Sequence, residues 1–127
     1  MKKRILVVDD EDKELKRIAA ILEKEGYAVV EASNEEDAIL KAREMSPDLV
    51  IIDVVTKDSN VTGFDICHKI KAAIHPKLLR VLMITGKAEG INVSLANKVG
   101  ADGFEAKTSS MAGVTDAARS ILSKSEK

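Results

Sequence analysis

Four consecutive apolar residues followed by an acid, Leu49-Val50-Ile51-Ile52-Asp53, constrain this chain more than any other stretch. So short a run without polar alternation reads as a strand buried on both faces, as in a parallel sheet. Asp53 then stands where the strand leaves the core. In open α/β sheets, ligands bind at that carboxyl end. Taken alone, Asp53 is more simply a surface acid, and the rest of the chain has to decide between the two.

A second such run, Ile5-Leu6-Val7-Val8, ends in Asp9-Asp10-Glu11-Asp12. Leu15, Ile18, Ala19 and Leu22 then recur at helical spacing, closed by Gly26. Residues 27–32 read as a second strand. Ser33 and Glu36 have the spacing of a capping box before a helix with Ala38, Ala42 and Met45 inward. Pro47 stops that helix, and Leu49–Asp53 is the third strand. After a polar loop over 56–62, Gly63 precedes a helix with Ile66, Ile70, Ala73 and Ile74 inward, bounded by Pro76. Residues 80–85 form a fourth strand. A loop over 87–92 leads to a shorter helix ending near Val99, with Gly100 as its cap. Gly103–Ala106 is a short fifth strand. Ser109 opens a final helix with Met111, Val114, Ala118, Ile121 and Leu122 inward, and residues 123–127 are expected to fray.

Strand and helix thus alternate five times. That pattern predicts an α/β fold, a doubly wound five-stranded parallel sheet with helices on both faces. Right-handed crossovers make the flavodoxin-like order 2-1-3-4-5 the economical topology. One domain is expected over 1–127, ordered from about 4 to 122. At 45% hydrophobic but only 2% aromatic, its core must be aliphatic. The net charge of −1 leaves no basic excess for nucleic acid or an acidic membrane surface. No stretch is long enough to span a bilayer, and the apolar run after Met1-Lys2-Lys3-Arg4 is too short for a signal peptide. A single cysteine, Cys67, cannot form an internal disulfide, so a cytoplasmic protein is expected.

Polar residues fall at the carboxyl ends of four predicted strands: Asp9 and Asp10, Asp53, Thr85, and Lys107 just beyond the fifth. In the order 2-1-3-4-5 the first and third strands are neighbours, so three carboxylates converge. Such a cluster repels itself unless a cation is present. Oxygen-only ligands favour Mg²⁺, which needs one or two carboxylates and keeps several waters. Lys107 adds a point positive charge and Thr85 a hydroxyl. The set suits the holding of a phosphoryl group, and in-line transfer to a carboxylate needs mainly positioning and charge neutralisation.

Asp9-Asp10, Asp53, Thr85 and Lys107 resemble the receiver domain of bacterial two-component response regulators, in a chemotaxis-receiver-like form. Ile5-Leu6-Val7-Val8-Asp9-Asp10-Glu11, Gly63-Phe64-Asp65 and the stretch from Gly100 to Lys107 resemble it too, so the likeness covers essentially the whole chain. It implies a phosphorelay switch, not an enzyme with turnover, that assists its own phosphorylation and dephosphorylation. Asp53 accepts phosphate from a phosphohistidine of a sensor histidine kinase or histidine phosphotransfer protein. Asp9, Asp10, Asp53 and the main-chain carbonyl of Val55 hold Mg²⁺. Thr85 and Lys107 bind the phosphoryl oxygens. Phe104 is the aromatic switch residue, on a face made by the fourth helix, fifth strand and last helix that meets a downstream protein. From the charge balance, no nucleic-acid contact by this chain and no membrane contact are expected.

The chain departs from the family's pattern in three places. Thr108 follows Lys107 where proline is usual. Val54-Val55-Thr56-Lys57 replaces the usual Met-Pro stretch, and Gly63 lies ten residues after Asp53 rather than eight. Gly86 follows Thr85 where alanine is common. A trans Lys107–Thr108 bond is expected, with Thr108 or Ser109 capping the last helix.

Three other functions compete with this one. A degenerate receiver could bind protein without phosphorylation, though the acid set is complete. An aspartyl-phosphate phosphatase usually carries a second acid two residues after its nucleophile, where this chain has Val55. A flavin module needs a Ser/Thr/Gly-rich loop after the first strand, where this chain has acids. Thr85-Gly86-Lys87 is no phosphate-binding P-loop, because Val81 and Ala88 stand where glycine and Ser/Thr are required. Cys67 reads as a small buried hydrophobe and His68 and His75 as surface residues. Lys57 and Asp58 read as solvated.

Overall fold

The computed structural model describes residues 2–54, 62–74, 79–86, 97–108 and 110–124. Five strands, β1 (Arg4–Val8), β2 (Ala28–Ala32), β3 (Leu49–Asp53), β4 (Val81–Thr85) and β5 (Gly103–Ala106), form one sheet. Its order is β2-β1-β3-β4-β5, and every pairing is parallel. Around it are α1 (Asp12–Lys24), α2 (Glu35–Met45), α3 (Gly63–Ala73) and α4 (Ala112–Lys124). The expected architecture and strand order are therefore observed.

The unbroken apolar runs are explained by cover on both sides. All residues of β3 and β4 are buried. Alternate side chains serve two layers. Ile5, Val7, Ile51 and Ile84 meet Leu15, Ile18 and Leu22 of α1 and Val114, Ala118 and Leu122 of α4. Leu6, Val8, Val50, Ile52 and Met83 meet Ala38 and Ala42 of α2 and Ile66, Cys67 and Ile70 of α3. Each Val, Leu, Ile or Met side chain among them contributes roughly 1.5–3 kcal/mol when fully buried. The predicted inward set of α4 is buried throughout, whereas Ala73 and Ile74 are only half buried.

Helix ends follow local chemistry. Gly26 has φ of +98°, its N–H donates to the Glu23 carbonyl, and the Tyr27 N–H donates to Leu22, a left-handed cap that favours glycine. The expected capping box at Ser33 and Glu36 is not the one used. Asn34 caps α2, its side chain accepting from the Asp37 amide at 2.8 Å. The two residues are adjacent and both able to cap, and Asn34 has the extended backbone that a cap requires. A complete capping box does occur at α3, where Thr62 and Asp65 bond reciprocally.

The last helix begins at Ala112, later than Ser109, which lies outside the described residues. Thr108 Oγ1 accepts from the Met111 amide at 3.1 Å, and Met111 adopts φ of +58° before the helix starts. The Lys107–Thr108 bond is trans. Ser123 and Lys124 remain helical rather than frayed. Most of the helix expected to end near Val99 lies outside the described residues, as do Val55, the 56–61 loop with Lys57 and Asp58, His75 and the 87–92 loop.

Candidate functional site

The carboxyl ends of β1, β3, β4 and β5 share one edge of the sheet, and register carries their polar residues there together. Val8 pairs with Ile52, Asp53 with Ile84, and Thr85 with Ala106. Each residue one step beyond these pairs therefore leaves the core at the same level. The Asp9 amide donates to Ala32 at 3.1 Å, and the Lys107 amide donates to the Thr85 carbonyl at 2.7 Å, so the ladder positions both backbones.

Lys107 is the centre of the cluster. Its Nζ lies 2.9 Å from Asp53 Oδ2, 3.4 Å from Asp9 Oδ2 and 3.8 Å from Glu14 Oε1. The Lys107 and Asp53 side chains are 12% and 10% exposed, and that of Asp9 only 1%. Asp9 Oδ1 accepts from the Glu11 amide at 3.0 Å. Burial pushes the Asp9 carboxyl up to about 6; the Asp53 carboxylate adds to that rise, while the Glu11 amide and Lys107 oppose it. Burial also works against the Lys107 charge. Its hydrogen bond to Asp53 and the carboxylates of Asp53, Asp9 and Glu14 together outweigh that, holding its pKa above the ordinary lysine value.

Sequence reasoning thus placed Asp9, Asp53 and Lys107 in contact. Asp10 follows at the half-buried next position, and Thr85 is buried at the end of β4. Val55 lies outside the described residues. Phe104 is half buried on the α3 face of β5, opposite Met83, and its ring stands 6.4 Å from that of Phe64. Glu14 was missed. Its signal was available, because four residues separate it from the inward Ile18, so it flanks the buried stripe of α1.

Gly63 also has a larger part than the start of a helix. Its amide donates to the Val54 carbonyl at 2.8 Å. A Cβ there would collide with the Asp53 carbonyl oxygen and approach Val54 Cα to 2.8 Å. Only glycine lets α3 begin so close to the end of β3.

The family model of the response regulator receiver domain matches residues 5–119. This chain belongs to that family. The receiver domain is 34% identical over 126 residues to the alkaline phosphatase synthesis transcriptional regulatory protein PhoP of Bacillus subtilis, covering 99% of this chain and 51% of PhoP. It is 31% identical over 104 residues to protein PilH of Pseudomonas aeruginosa, covering 82% of this chain and 84% of PilH. The chain thus spans about half the length of PhoP and 39% of the B. subtilis regulator ResD.

Among solved structures, a CheY-like receiver domain from Methanospirillum hungatei superposes with a TM-score of 0.85 at 27% identity, covering 99% of this chain and 98% of that one. The response regulator TrrA of Thermotoga maritima, in complex with Mg(2+)-BeF, gives 0.81 at 26% identity, covering 94% and 98%.

The other flagged residues fit plain structural roles. Cys67 is buried, and that burial pushes its thiol up to about 11, so it is a poor nucleophile. His68 is exposed. Among the described residues no helix is long and apolar enough to cross a membrane.

Proposed function

We propose that this receiver domain is a phosphorylation switch in which Asp53 takes a phosphoryl group from a phosphohistidine. One observation carries the reading: a buried lysine ammonium held 2.9 Å from the carboxylate at the end of the central strand. In the transfer an Asp53 carboxylate oxygen forms a bond to phosphorus as the P–N bond to imidazole breaks, and the imidazole nitrogen leaves with the electron pair. Lys107 neutralises charge on the moving phosphoryl oxygens. Thr85 supplies a hydroxyl to the same oxygens, and Phe104 follows it inward. A face around Phe104, β5 and α4 then meets a downstream protein. The phosphoryl donor is a sensor histidine kinase or a histidine phosphotransfer protein, encountered in the cytoplasm. The domain is an acceptor and switch rather than an enzyme with turnover.

Mg²⁺ fits the donor chemistry. Among the described residues no three His, Cys, Asp or Glu side chains form a metal cluster by themselves. Mg²⁺ does not need that many, since one or two carboxylates with carbonyl and water suffice. Asp9 is an almost completely buried acid raised to about 6, the condition of a carboxylate short of positive charge. Asp9, Asp10 and Asp53 would hold the ion, with the Val55 carbonyl. When bound, it supplies charge neutralisation at the phosphoryl oxygens. The Mg(2+)-BeF complex of TrrA supports this reading by likeness.

The test is incubation with acetyl phosphate and Mg²⁺, followed by intact mass. One acid-labile phosphoryl group is expected on the wild-type chain and none on Asp53→Asn. Equal uptake by the variant would remove Asp53 from the role. No uptake by either would favour a receiver that binds its partner without phosphorylation.

A further inference from the structure

Resting on the phosphoacceptor reading of Asp53, we propose that Glu14 is a positioning residue: it draws the Lys107 ammonium away from Asp53 and so sets how readily the site takes an anionic phosphoryl donor. Lys107 has three N–H donors and faces three carboxylates. Asp53 holds it at 2.9 Å and Asp9 at 3.4 Å, while Glu14 Oε1, from the first turn of α1, stands 3.8 Å away. Asp9 and Asp53 belong to the site itself. Glu14 does not; it reaches Lys107 from a separate element, α1.

The same oxygen, Glu14 Oε1, also accepts from Arg17 Nη1 at 3.4 Å, one helical turn on. Glu14 is therefore divided between two cations. Its side chain is 24% exposed and that of Arg17 39%, so its pull on Lys107 is only partly screened. Two consequences share a sign. Less charge at Glu14 frees Lys107 for an incoming phosphoryl group, and it weakens the repulsion of an anionic donor. A third has the opposite sign: with one nearby negative charge removed, the site attracts Mg²⁺ less strongly.

The experiment uses the full chain with acetyl phosphate at saturating Mg²⁺, read by intact mass over time, and Mg²⁺ affinity by calorimetry. Glu14→Gln is expected to be phosphorylated roughly threefold to fivefold faster at low salt, with the difference fading at high salt, as for partly exposed charges. Its Mg²⁺ affinity is expected to fall. Arg17→Gln leaves Glu14 undivided and is expected to slow phosphorylation, and the double variant should behave as Glu14→Gln. A loss of packing would instead depress rate and affinity together in both single variants, and that outcome overturns the proposal. So does an unchanged rate in Glu14→Gln while the wild type is phosphorylated. A wild type that takes no phosphate at all marks failure of the Asp53 reading itself and ends the proposal with it.

Discussion

The rings of Phe64 and Phe104 stand 6.4 Å apart and tilted by 38°. They join the second residue of α3 to β5, the strand that ends one residue before Lys107. Phe64 follows Gly63, which abuts the Asp53 carbonyl, so the pair connects the backbone beside Asp53 to the strand that leads to Lys107. Phe64→Leu and Phe104→Leu are expected to couple by about 1 kcal/mol in a double-mutant stability cycle, as tilted aromatic pairs do. Additive effects would show that the rings merely share a neighbourhood.

If the pair transmits phosphorylation, amide NMR shifts on phosphate uptake should extend beyond Asp9, Asp53 and Lys107 into residues 97–120. In Phe64→Leu that spread should shrink, with phosphate uptake retained. Shifts confined to the immediate surroundings of Asp53 in the wild type would separate Phe104 from the switch.

Lys107→Ala removes the cation from two buried carboxylates. Breaking a buried ion pair from one side costs about 3–5 kcal/mol, because the remaining charge is left uncompensated. A markedly lower melting temperature is expected in metal-free buffer, with much of the loss recovered on adding Mg²⁺. Recovery with Mg²⁺ but not with an equal ionic strength of NaCl is the diagnostic comparison.

Asp9 makes the metal-free domain respond to pH in an unusual direction. Its folded carboxyl titrates near 6 against the ordinary 3.8. Between those values the folded chain holds a proton that the unfolded chain has released. This contribution to stability is therefore present at low pH and lost as pH rises through 6. The loss amounts to about 3 kcal/mol. Asp9→Asn is expected to melt higher than wild type at pH 7.5 without metal, with the gap closing toward pH 4. Mg²⁺ affinity should fall below about pH 6 in the wild type, because the ion must displace the Asp9 proton. Melting curves that keep the same gap at both pH values would contradict the assignment.

Gly63→Ala places a methyl group against the Asp53 carbonyl and Val54 Cα. Backbone is on the receiving side, so relief requires α3 to shift. A loss of about 2–3 kcal/mol is expected by denaturant melting, with slower phosphate uptake because the acceptor strand end moves. Alanine at Gly86, where a Cβ meets nothing within 4 Å among the described residues, is the control and should be close to neutral.

The sheet was legible because each buried strand is an unbroken aliphatic run, and Leu49–Asp53 and Gly103–Ala106 were placed to the residue. Strand order then brought Asp9, Asp53 and Lys107 together with no knowledge of side-chain rotamers. What pattern could not resolve was local competition. Ser33 and Asn34 are adjacent and both able to cap, and backbone conformation chose Asn34. Met111 looks like the first inward residue of a helix, yet its left-handed φ puts it before the helix begins. As an acid, Glu14 gave no signal of its own in the sequence, since charge at a helix start is common for reasons of the dipole alone. Its place emerges only when the fold brings the first turn of α1 within reach of the Lys107 side chain.

The Gly63 amide bonded to the Val54 carbonyl closes a loop at its base, 2.8 Å across. A closed base separates the length of the excursion between those residues from the placement of everything after it. Loop-closure cost rises only about 0.6 kcal/mol per doubling of length. The chain can therefore carry two residues more than the family's usual spacing while α3 still starts beside Asp53. The position of α3 beside Asp53 is thus anchored by one contact between Val54 and Gly63, and the sheet that ends at Asp53 keeps its neighbour whatever number of residues separates those two.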